Sequence, residues 1–199
     1  MQKRDFLNSA MLGLAVGAVP ARARAQHVAK SASGPTLLTV TGLIGPGNRP
    51  AFDPALDQMM GKQKLKFDKG HAFDFAAITA LPATTIKPTL EYDNKAHTLK
   101  GPLLMDVMKA CGVKTTEKTG FLLRAVDGYA AHISAADAGK YRFVVATHLD
   151  GAPMALGGLG PLWVVFDADH YAEFAAKPVT ERFGSCPWAT YHIEVKETA

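Results

Sequence analysis

Metal-binding and nucleophile motifs are what this sequence lacks. It has two cysteines, Cys111 and Cys186, with no CxxC pair, and its histidines at 27, 71, 97, 132, 148, 170 and 192 show no HxH or HExxH spacing. Zinc sites draw on such clusters, so no metal motif is present. No GxSxG occurs, and Ser185 in FGSCPW has no strand–turn–helix setting, which leaves a serine hydrolase unsupported. GxGxxG and GxxxxGK[ST] are absent too. After the N-terminal segment no Lys/Arg cluster with interleaved aromatics remains, which argues against nucleic acid as a partner.

A membrane-spanning run is also missing. The apolar stretch from Ala10 to Val19 is about half of what crosses a bilayer. Lys3 and Arg4 precede it, and Ala23-Arg24-Ala25 follows as a small-x-small cleavage pattern. Residues 1–25 therefore read as a signal peptide cut after Ala25, with no stable membrane anchor, and the expected location is periplasmic or secreted. QKRDFL is similar to a twin-arginine export signal with Lys3 in the first arginine position; the general secretory route is the alternative. This segment holds Lys3, Arg4, Arg22 and Arg24 against Asp5, so only +1 of the formal +4 stays with the rest of the chain. In an oxidising compartment a Cys111–Cys186 bridge is one outcome. A buried, unbridged Cys111 on a helix face is the other.

What is present is core material. The 199 residues are 48% hydrophobic, enough for one domain with a sizeable core and short for two. QHVAKSASGP (26–35) has linker composition, and the domain is expected over 36–196. Thr36–Ile44 alternates as a first strand. Asp53 and Pro54 predict the N-cap and N1 of a short helix to Met60, and Asp74 caps a second that Pro82 ends after Leu81. Thr84–Tyr92 is strand-like, with Pro88 confining it to an edge or bulge. GPLLMDVMKACG predicts a helix with Pro102 in its first turn, an apolar face of Leu103, Leu104, Val107, Met108 and Cys111, and Gly112 at C′. Further strands are expected at Phe121–Val126, Phe143–Leu149, Pro161–Phe166 and Thr190–Val195. Ser134 and Asp137 predict a capping box. Few helices and many short strands give an α+β, sheet-dominated fold.

GAPMALGGLGPLWVVF (151–166) leaves two readings open: a glycine loop that cradles a phosphate, or two tight turns before a buried strand. Phosphate loops usually open a helix, whereas Pro161–Phe166 reads as a strand. Cys186, between Gly184 and Pro187-Trp188, is either a reactive thiol or an inert one; reactivity needs a nearby base or helix N-terminus.

Taken in order, LLTVTGLIG, FDFAAITALPATTI, GPLLMDVMKACGV, LRAVDGYAAHISAADAGKYRFVVATHLDGAPMALGGLGPLWVVF and WATYHIEV resemble the molybdopterin-binding domain of the sulfite oxidase-like oxidoreductases, in its short exported form. The resemblance spans about residues 36–195. It implies a molybdopterin cofactor and a cleft beside the GGLGPLW loop, with Gly158, Gly160, Trp163, Arg182 and Trp188 as cofactor-binding residues. Members carry a molybdenum-ligating cysteine just after the strand that here reads TTIKPTLEY. This chain has Lys87, Pro88, Thr89 and Leu90 there, and Leu159 and Trp163 in place of the usual phosphate-holding histidine and arginine. No side-chain metal ligand is therefore expected, and catalytic residues cannot be assigned. Two functions follow: a periplasmic molybdopterin-dependent oxidoreductase, degenerate for want of that cysteine, or a non-catalytic periplasmic protein that binds another ligand, or a redox or accessory protein partner, on the same fold.

Overall fold

The computed structural model describes residues 34–198. The signal-peptide reading of 1–25 and nearly all of the 26–35 linker lie outside these residues. In chain order the elements are β1 (Leu38–Gly42), α1 (Gln58–Lys62), β2 (Gly70–Phe73), α2 (Phe75–Thr79), β3 (Ala83–Ile86), β4 (Leu99–Pro102), α3 (Leu104–Ala110) and β5 (Thr119–Ala125). There follow β6 (Ala130–Ser134), α4 (Ala135–Lys140), β7 (Val144–Ala146), β8 (His148–Leu149), β9 (Ala152–Pro153), β10 (Trp163–Val165), α5 (Ala172–Ala175) and β11 (Thr190–Glu197). Short strands dominate, in agreement with a mixed α+β, sheet-rich fold.

Three sheets form around one main core. The largest runs β2-β1-β11-β5-β6; the others are β10-β7 and β3-β4-β8-β9. β11 lies between β1, with which it pairs in parallel (Val40↔Ile193), and antiparallel β5 (Ile193↔Leu123). Such a central strand must be apolar where it meets the core, and Ile193 and Val195 are buried. β7 and β10 are buried along their whole length, with Trp163 and Phe166 among the largest fully enclosed side chains. Burial of each such side chain stabilises the fold by about 1.5–3 kcal/mol.

The helices are short and locally specified. Asp74 accepts a hydrogen bond from the N–H of Ala77 at 2.7 Å, and Ser134 Oγ accepts one from Asp137 N at 2.9 Å, so both predicted caps form. α3 packs Leu104, Val107 and Met108 into the core and closes at Gly112, whose φ of 71° suits glycine at C′.

Several elements differ from the sequence expectation. The run Phe143–Leu149 forms two strands in different sheets, β7 against β10 and β8 against β4 and β9, instead of one. Pro102 closes strand β4 instead of opening α3, because the chain must first run tightly past β7: a Cβ on Gly101 would stand 2.0 Å from Val145 O. Asp53 caps only a turn, accepting from Ala55 N and Leu56 N, and α1 starts later, at Gln58. The strand expected through Tyr92 stops at Ile86. Beyond Pro88 the chain doubles back as a small hairpin, with Thr89 bridged to Ala96 and Asn94 at φ 57°. Cys111 and Cys186 are both buried free thiols, so the bridge does not form.

Candidate functional site

The glycine-rich loop resolves first. Asp150 (φ 48°) and Gly151 (φ 85°) make the turn between β8 and β9, and Gly157 (φ 97°) makes a second. Gly160 is glycine for lack of room: a Cβ there would lie 2.4 Å from Met154 Cβ and 2.5 Å from Met154 O. The N–H of Gly158 points back to Ala155 O at 3.4 Å instead of outward. This loop is two turns and a close approach, not an anion cradle.

The residues grouped by the family resemblance do not converge on one cleft. Trp163 is fully buried, and its Nε1–H donates to the carbonyl of Cys186 at 2.9 Å; it braces the loop before β11 from beneath. Arg182 is held elsewhere: Nη1 donates to Asp169 Oδ1 at 2.5 Å, Nε to Lys177 O and Nη2 to Ala175 O, each of the latter two at 2.9 Å. With these donors engaged, Arg182 faces the Asp169 turn and lies outside the cavity that Trp188 borders. The guanidinium is thus a positioning group. Asp169 Oδ2 in turn accepts the N–H of Thr89 at 2.6 Å, and Asp167 Oδ2 that of Lys87 at 3.2 Å, which fastens the root of the 88–97 hairpin.

Trp188 does line a cavity, of about 230 Å³, and its neighbours come from three distant stretches. The hairpin supplies Glu91 and Tyr92, the turn after β5 supplies Asp127 and Tyr129, and the loop before β11 supplies Cys186 as well as Trp188. Tyr92, Tyr129 and Trp188 are 54%, 52% and 38% exposed, unusual for large rings, and they open onto this space. Tyr129 Oη donates to Gly184 O at 2.6 Å, which ties the β5 turn to the C-terminal loop. His97 fixes the hairpin tip from the other side: Nδ1 meets Asp150 Oδ2 at 2.6 Å and Nε2 meets Asp93 Oδ2 at 3.0 Å.

The electrostatics are one-signed. Glu91 and Asp127 are the charged groups of the lining, which holds no Lys, Arg or His. Burial, then the Glu91 carboxylate, pushes the Tyr92 phenol up to about 12. Burial likewise pushes the Cys186 thiol up to about 12, so this cysteine is an inert wall and no nucleophile.

A larger cavity of about 640 Å³ lies behind the glycine-loop segment, bordered by Leu156 and Pro161 with Met59, Val126 and Tyr191. Its one charged lining residue, Arg49, is already neutralised by Asp57, donates to Thr39 Oγ1 at 2.6 Å and covers the Phe67 ring. The smaller cavity combines carboxylates unopposed by any cation in its lining with three exposed aromatic rings, and it is the candidate site. Glu91, Asp127 and Tyr129 carry no local motif. Their one sequence signal is the surplus of aromatics beside carboxylates in LEYD and VDGY.

This architecture is that of a sheet-rich α+β fold also found in an oxidoreductase. The crystal structure of the sulfane dehydrogenase SoxCD from Paracoccus pantotrophus matches it with a TM-score of 0.52 at 12% identity, over 81% of this chain. The match takes in 38% of that chain, so this protein corresponds to well under half of its length. No family model matches the sequence, and no curated protein does. Among the described residues no cluster of His, Cys, Asp or Glu is arranged to hold a metal ion, and no helix is long and apolar enough to cross a membrane.

Proposed function

We propose that this chain is a non-catalytic ligand-binding protein built on an oxidoreductase-like fold, with the Tyr92–Tyr129–Trp188 cavity as its site. The observation that carries the reading is the charge of that cavity. Molybdopterin, the cofactor implied by the family resemblance, brings a phosphate dianion and sulfur donors. Such a group needs cationic or N–H partners. Here it would meet Glu91 and Asp127, with Arg182 turned to Asp169 and the glycine loop closed on itself. Cys111 is enclosed in the core and Cys186 has a strongly raised pKa, so neither thiol offers a ready thiolate. The residues present do not fit the cofactor.

Lys3-Arg4 and the Ala23-Arg24-Ala25 site further support export to the periplasm, where the mature N-terminus should be at or near Gln26. N-terminal sequencing of the exported protein checks this; an intact Met1 contradicts it.

The chain has two tryptophans, one enclosed and one open to the cavity, which gives occupancy a direct readout. Protein purified from its native compartment is compared with the same protein after unfolding, dialysis and refolding. Acrylamide should quench Trp188 less before dialysis, and the dialysed small-molecule fraction should restore the protection. Equal quenching before and after, together with stoichiometric molybdenum, would overturn the proposal.

A further inference from the structure

The ligand can be named by class from the walls of the cavity. Taking the Tyr92–Tyr129–Trp188 cavity as the binding site, we infer that its ligand is a compact organic cation of the alkylated ammonium type, seated against the aromatic faces and balanced by Glu91 and Asp127.

Charge points the same way from two sides. The lining has carboxylates and no basic group, and nearby guanidinium groups are committed: Arg182 to Asp169, and Arg124 to Glu194, which its Nη1 and Nη2 reach at 3.0 Å. An anion would meet repulsion from Glu91 and Asp127 with no cation in the lining to offset it, whereas a cation would be attracted by both.

The rings supply the complementary surface. Among the described residues, none of Tyr92, Tyr129 and Trp188 makes a ring contact with another aromatic or lies under a Lys or Arg side chain, so no cation already occupies them. Their π-faces are negative and attract a cation, most strongly where water is excluded. The Tyr129 hydroxyl proton is spent on Gly184 O, so the ring face is what that residue offers.

Size narrows the class. A volume of about 230 Å³ is smaller than the roughly 300 Å³ at which drug-sized sites begin. The remaining wall includes the apolar Ala125, Phe183 and Pro187, beside the one hydroxyl residue Thr180. A primary ammonium wants three acceptors around it, whereas an alkylated ammonium presents methyl groups that such a wall accommodates.

The test is calorimetric titration of the mature protein with choline and with 3,3-dimethyl-1-butanol, its uncharged isostere. Choline should bind at least tenfold more tightly. A variant carrying both Glu91→Gln and Asp127→Asn should lose tenfold or more of that affinity, as should Tyr129→Ala, while Tyr129→Phe keeps it; thermal unfolding confirms that each variant is folded. Equal affinity for the alcohol would overturn the cation class and leave the cavity as a site. Choline binding unchanged in all variants would also overturn it, because the cation would then sit elsewhere. No binding of choline or of tetramethylammonium would overturn it as well, while Trp188 protection by the native small-molecule fraction would still decide the site separately.

Discussion

At the scale of single residues, the two glycines assigned by resemblance to the cofactor separate cleanly. A methyl group on Gly160 would collide with Met154 backbone and side chain, whereas the nearest atom to one on Gly158 is Ala155 O at 3.8 Å. Gly160→Ala should destabilise the protein by about 2 kcal/mol or more. Gly158→Ala should stay within about 0.5 kcal/mol of wild type. Chemical denaturation of the two variants checks this, and equal effects would contradict the packing account. Glycine in this loop was legible in the sequence, but its reason was not: Gly160 is required by an approach of Met154 that no residue pattern encodes. The family resemblance that groups Trp163 and Arg182 with Trp188 does not say which way each side chain faces: Trp163 turns inward to the Cys186 carbonyl while Arg182 turns to Asp169.

At the scale of elements, the 88–97 hairpin is held to the fold from two directions. Arg182 holds Asp169, which holds Thr89; His97 bridges Asp93 and Asp150. Arg182→Ala should raise amide hydrogen exchange across 88–97 at least tenfold while leaving β11 protected, since only a local opening is released. The histidine adds a pH dependence. Hydrogen bonding to Asp150, then Asp93, raises the His97 pKa above 6.5. A group with a raised folded pKa contributes fully below its unfolded value, and the contribution fades as pH rises through the folded one. The stability gap between wild type and His97→Gln should therefore be widest below pH 6.5 and narrow above it; a gap that widens with rising pH would contradict the clasp. Elements with local signals were legible: α3 from its 3.6-residue period and Gly112, α4 from Ser134 and Asp137. β4, β6 and the hairpin were not, because four or five residues ending in Pro102 or beginning at Ala130 carry too little alternation to stand out.

At the scale of the whole molecule, acid should unfold the protein through one buried imidazole. His192 lies on the central strand with Nε2 on Thr41 Oγ1 at 3.0 Å; burial, then Arg124, lowers its pKa from 6.5 to about 3. The unfolded chain takes up this proton between those values, so the contribution is whole above pH 6.5 and is lost on descent toward pH 3. The loss is on the order of 4 kcal/mol. His192→Gln should flatten this part of the profile. If wild type keeps its stability from pH 6.5 to 4 while the variant does not, His192 is not the neutral group inferred here. The site itself is a property of this scale. β5 meets β11 across some 65 residues of sequence (Ala125↔Thr190), which brings Trp188 beside Tyr129, while Asp167 and Asp169 hold the hairpin that carries Tyr92. Strand order is decided by burial of the whole set, so Glu91 and Asp127 could not be paired from their local sequence.

The central claim is that this fold holds a small cationic ligand where the family resemblance calls for an anionic pterin, and native mass spectrometry of protein taken from its own compartment tests it most directly. The account predicts a mass equal to the mature chain alone plus one small organic cation, with the added mass absent from the Glu91→Gln, Asp127→Asn variant. An added mass equal to a molybdenum-bearing pterin, retained in that variant, would contradict it.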